Sequence, residues 1–107
     1  MILKIFIDEH EQEINVPDSM LVDARDYFDM LDKDMDMGYQ MSREWVEKPD
    51  LIQRCQIIAD RILTALETDN TKTGTLMAAY ILSRVPDAYA MHLSTEGDMT
   101  LYDLETK

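Results

Sequence analysis

The segment Thr75–Val85 is apolar on nearly every side, and this limits the folds open to the chain more than any other feature. Leu76, Met77, Ala78, Ala79, Tyr80, Ile81 and Leu82 follow one another without a charge, so a helix formed here has no face to offer water. The rest of the chain must enclose it. Pro86 follows immediately and marks its end.

Two amphipathic helices are available as cover. Asp50 and Gln53 form an Asp-x-x-Gln version of the capping box. Leu51, Ile52, Cys55, Ile58, Ala59, Ile62, Leu63 and Leu66 then fall on one face, which predicts a helix to about Glu67 and a polar link over Thr68–Gly74. Upstream, Asp18 or Ser19 can cap a helix whose apolar face is Met20, Leu21, Ala24, Tyr27, Phe28, Leu31 and Met35. Gly38 is placed to stop it in a left-handed conformation.

The ends of the chain read as strands. Ile2–Ile7 alternates Leu3, Ile5 and Ile7 against Lys4, and Glu13–Val16 alternates polar with apolar; Asp8–Gln12 joins them as a hairpin. Tyr89, Met91 and Leu93 alternate, a turn is offered at Thr95–Asp98, and Met99–Leu104 returns as a strand. Ser42, Trp45 and Val46 suggest a short helical turn ended by Pro49. The expected fold is α+β: an N-terminal β-hairpin, three helices and a C-terminal β-hairpin, with the helices on one face of a small antiparallel sheet. Residues 1–107 make one globular domain.

The formal net charge is −12, and most of it is local. Residues 8–36 carry eleven acids against Arg25 and Lys33. This argues against nucleic acid or an anionic membrane as partner, because phosphate binding needs clustered Lys and Arg. A basic partner is favoured instead. No apolar run approaches the roughly 20 residues of a membrane span. The apolar N-terminus is too short for a signal sequence, and a single cysteine suits a reducing compartment, so a cytoplasmic location is expected.

Each chemical motif in the chain has a simpler structural reading. Asp32, Asp34 and Asp36 match positions 1, 3 and 5 of a calcium loop, but Met37 stands at the required glycine and Arg43 at the bidentate glutamate. The ladder also extends back through Asp29, Asp26 and Asp23 at helical spacing, as a solvated helix face does. Met30 and Met37 lie two turns apart, too far to share a copper ion. Cys55 sits in the centre of an apolar stripe, without the electropositive setting of a reactive thiol. Lys72-Thr73-Gly74 lacks the glycine order of a phosphate loop, and helix capping by Asn70, Thr71 or Thr73 explains the same residues. His10 lies among glutamates, and His92 lies on a strand with no nucleophile identified beside it. No catalytic residue, metal ligand or cofactor is assigned.

One pattern breaks its own helix. Met30 and Met37 project among the acids, on the face opposite Phe28 and Leu31. With Tyr39 and Trp45 just downstream, this predicts a protein-binding surface made of Asp23, Asp26, Asp29, Met30, Asp34, Met37, Tyr39 and Trp45. It would serve a partner with a basic surface, or a second copy. The alternatives are a small-molecule or enzymatic pocket near Trp45 and His92, and mimicry of nucleic-acid charge by the spaced aspartates.

Overall fold

The computed structural model describes residues 1–107 as a mixed α+β fold. A four-stranded sheet has the order β2-β1-β5-β6, formed by β1 (Ile2–Ile7), β2 (His10–Asn15), β5 (Ala88–Leu93) and β6 (Asp103–Thr106). Four helices follow the first hairpin: α1 (Asp18–Asp23), α2 (Arg25–Asp36), α3 (Leu51–Glu67) and α4 (Thr71–Arg84). A separate hairpin of β3 (Tyr39–Met41) and β4 (Glu44–Val46) lies between α2 and α3.

α4 is buried from Met77 through Leu82, as its composition requires. Its cover comes from α3, α1, α2 and the sheet, which supply residues such as Ile58, Ile62, Phe28, Leu3 and Ile5 to one continuous core. Gly74 is buried where the start of α4 meets α3; a Cβ there would make ordinary contact, at 3.7 Å, with the Cβ of Ala65. Leu3, Ile5 and Met91 are fully buried on the helix side of the sheet, while Ile2 and Lys4 are exposed on the other.

The sheet is mixed, not antiparallel throughout. β1 pairs antiparallel with β2 but parallel with β5, Ile5 opposite Met91. The four helices between β1 and β5 form a crossover long enough to return the chain to the same end of the sheet. β5 and β6 are antiparallel, with a bulge between Ala88 and Ala90. A 3-10 turn at Met99–Leu101 takes the first residues of the expected last strand.

Three further expectations change. The first hairpin turns on Asp8 and Glu9 alone, so β2 begins at His10. The expected first helix is two, interrupted at Ala24 (φ −96°, ψ 13°), and Pro17 occupies its N-cap position in place of Asp18 or Ser19. Asp18 instead sits 3.3 Å from the Met1 amine. The expected helical turn at Ser42–Val46 is β-hairpin, because Ser42 adopts a left-handed φ of 57° and reverses the chain.

The caps of α3 and α4 form as read. Asp50 Oδ1 accepts from the Gln53 amide at 2.8 Å and Gln53 Oε1 from the Asp50 amide at 2.9 Å. Asn70 Oδ1 accepts from the Thr73 amide at 3.2 Å. That cap starts α4 at Thr71, four residues before the apolar run, so the link expected over Thr68–Gly74 ends at Asn70 and Thr71–Gly74 are helical.

Candidate functional site

The aspartates of α2 divide into two sets with different work to do. One set faces the body of the protein. Asp32 accepts hydrogen bonds from the Tyr80 hydroxyl, from Arg84 Nε at 3.0 Å and from Arg54 Nη1 at 3.2 Å. Asp36 pairs with Arg54, and Asp29 with Arg84 at 3.0 Å. Arg54 also donates to the Pro49 carbonyl at 2.8 Å, and the Arg84 guanidinium lies 5.3 Å from the centre of the Tyr80 ring. Phe28 meets the same ring edge to face at 6.1 Å. This network clamps α2 across α3 and α4.

Electrostatics follow from the geometry. Burial alone would raise the Asp32 carboxyl, but hydrogen bonds from Tyr80, Arg84 and Arg54 outweigh it and hold the group below the usual carboxylate range. Burial raises the Tyr80 phenol, and its bond to Asp32 raises it further. Burial together with the Asp32 charge pushes the Cys55 thiol up to about 11, so it stays protonated.

The second set faces solvent. Asp23, Asp26 and Asp34 are exposed and take no part in the ion pairs of Arg54 and Arg84. Beside them Met30 is 48% exposed, and Met37, at the end of the helix, 82%. Gly38 then takes φ 100°, and the Trp45 indole lies directly against it; a methyl group at position 38 would collide with the ring. Trp45 is nonetheless 57% exposed. The hairpin's other face is the anchored one: Met41 is buried, and Tyr39 and Val46 pack on the core. Its turn is tied down where Ser42 Oγ accepts from the Met99 amide at 3.0 Å.

Met37 and Trp45 are thus both exposed at the end of an acidic helix, with Trp45 over Gly38, the residue that follows Met37. Of the residues read as a binding surface, Asp26, Met30, Asp34 and Met37 are exposed along α2 and its end, and Trp45 is exposed on β4. Asp29 is divided between solvent and Arg84. Tyr39 contributes chiefly to the core, and Asp23 belongs to α1, across the interruption at Ala24.

His92 lies elsewhere, on the open face of the sheet. Its ring stacks on Phe6 at 4.7 Å and its Nε2 is 2.6 Å from Glu105, which also accepts from the Tyr89 hydroxyl at 2.6 Å. These bonds hold the Glu105 carboxyl below its ordinary value, Tyr89 contributing most. Phe6, Tyr89 and Glu105 carry no signal in the sequence that would join them to His92; only strand register does so. Neither His92 nor Trp45 lines the cavities of about 420, 370 and 130 Å³. One of these, about 370 Å³, lies among Met1, Arg25, Phe28, Asp29 and Arg84. Comparison with protein-family models, curated proteins and solved structures returns no match to this chain.

Proposed function

We propose that this is an interaction protein that docks a basic partner against α2, with Met37 and Trp45 as apolar anchors. The observation that carries the reading is the placement of these two side chains. Both are large, both are exposed, and Gly38 holds one over the backbone next to the other. Trp supplies a rigid contact surface at low entropic cost, and Met adapts to the shape opposite it. Asp26 and Asp34 beside them keep their charge free to steer a cationic partner and to fix its register.

The clamp beneath supports the same reading. Because Asp29, Asp32 and Asp36 hold α2 down, the outward residues are presented on a rigid element and little order has to be gained on binding. A homodimer through this face is less well served, since it would bring Asp26 and Asp34 of two copies together. We place the protein in the cytoplasm, where one free buried thiol is the ordinary state; no helix is long and apolar enough to cross a membrane.

A photo-crosslinking amino acid at position 37, compared in cells with one at the exposed Thr64 of α3, tests the assignment. The expected result is a discrete crosslink to a basic protein from position 37 alone. Equal, diffuse labelling from both positions would refute it.

A further inference from the structure

We propose a second docking site, on a different surface and independent of the first: the free edge of β2 receives an extended segment of a partner as an added strand. The segment would carry basic side chains at alternate positions.

Hydrogen bonding along the hairpin shows which groups are free. Met1 and Val16 exchange both of their backbone bonds, each 2.7 Å. Bonded pairs alternate along an antiparallel ladder, so Leu3–Ile14, Ile5–Gln12 and Ile7–His10 are the others. The N–H and C=O groups of Glu11, Glu13 and Asn15 therefore point away from β1. β2 is the sheet edge, and nothing pairs with it on that side.

That edge borders a groove of about 420 Å³. Its far wall is the α3–α4 corner, where Ala65, Leu66, Gly74 and Thr75 leave room because three of the four are small. The other sheet edge, β6, has four residues, and none of them lines this groove. An open ladder beside a groove is the arrangement by which strand addition binds peptides: the backbone supplies affinity and alternate side chains supply selectivity.

Side-chain alternation defines the occupant. Residues of the added strand on the solvent side would lie beside Glu11 and Glu13, which share a single cation: Lys4 lies opposite Glu13 in the register and reaches Glu11 at 3.7 Å. Residues on the helix side would meet Ile14, Leu66 and Ala65, together with the polar Gln12, Asp69 and Thr71. Lysine or arginine alternating with a small apolar residue fits both rows. A second copy fits poorly: an antiparallel β2–β2 pair centred on Gln12 sets Glu11 against Glu13, and one centred on Glu13 sets Glu13 against itself. The acids thus deter self-pairing and select a cationic strand.

The probe is a capped peptide of about six residues, alternating lysine and valine, titrated into the 15N-labelled full chain. Saturable shifts and slowed exchange at the Glu11, Glu13 and Asn15 amides are expected, with no such effect from the fully N-methylated peptide of equal charge. Glu13→Pro removes an outward N–H at a position where an edge strand tolerates proline, and should weaken binding at least about tenfold. Glu11→Lys/Glu13→Lys should transfer the preference to an alternating glutamate–valine peptide, and it decides the matter if the proline variant does not fold. The proposal is overturned if the N-methylated peptide binds equally or if the shifts map to α2. It is likewise overturned if either variant binds the lysine peptide as wild type does, or if the β2 amides become protected with rising protein concentration alone, which would identify a second copy as the occupant.

Discussion

Tyr80, inside the most buried helix, donates its hydroxyl to Asp32, on the most acidic one. This bond and the two arginines that share the carboxylate make Asp32 the joint between the charged surface and the core. An acid here stabilises the fold instead of straining it, because the donors were brought to it by α3 and α4.

Replacing Asp32 with Asn should therefore be costly. Arg54 and Arg84 would keep their partly buried positions with less compensating charge, and charge-assisted bonds would become neutral ones. A loss of about 2 kcal/mol is expected. Urea denaturation would show it as a lower midpoint at unchanged slope, and heating as a fall of roughly 10 °C. An unchanged midpoint would mean that the network is ornamental.

The same residue predicts a pH dependence with a definite sign. A carboxyl whose folded pKa is depressed contributes stability above its unfolded value, about 3.9, and loses it as the pH falls through the folded value. Wild type should thus lose stability in acid, and its advantage over Asp32→Asn should shrink below about pH 4. A gap of constant size down to the lowest pH at which both variants fold would contradict the assignment.

Cys55 should be inert in the folded protein. Buried and held protonated up to about 11, its thiol should react with a soluble disulfide reagent at mildly alkaline pH only as fast as the chain opens. Denaturant should restore ordinary reactivity. Rapid labelling under native conditions would place the residue outside the core.

Gly38→Ala tests how the patch is held. The new methyl group would meet the Trp45 ring, and an L-residue is strained at φ 100°. A cost of about 1–2 kcal/mol is expected, together with a red shift of emission from the only tryptophan as its indole leaves the backbone. Unaltered emission would show that Trp45 does not depend on the glycine.

What the sequence discloses here depends on how local each signal is. α3 is legible from Asp50 and Gln53 because the capping box lies within four residues. The enclosure of α4 is legible because a helix without a polar face has one solution. The exposure of Met30 and Met37 follows from helical period alone. The interruption at Ala24 is not legible, since alanine is the best helix former. β3 and β4, three residues each, are too short for alternation to show. Asp32 reads as one more surface acid because Arg54, Tyr80 and Arg84 are far away in sequence and reach it only in the folded chain. The parallel pairing of β1 with β5 is hidden for the same reason.

Anchoring of a basic partner by Met37 and Trp45, as proposed, depends on both side chains together. Its most direct test is affinity capture from native lysate with the wild-type chain beside the Met37→Glu/Trp45→Ser variant, both shown to be folded by circular dichroism. Wild type is expected to retain a basic protein that salt releases, and the variant to retain at least about tenfold less of it, as the loss of two anchors requires. Equal retention by both chains would contradict it.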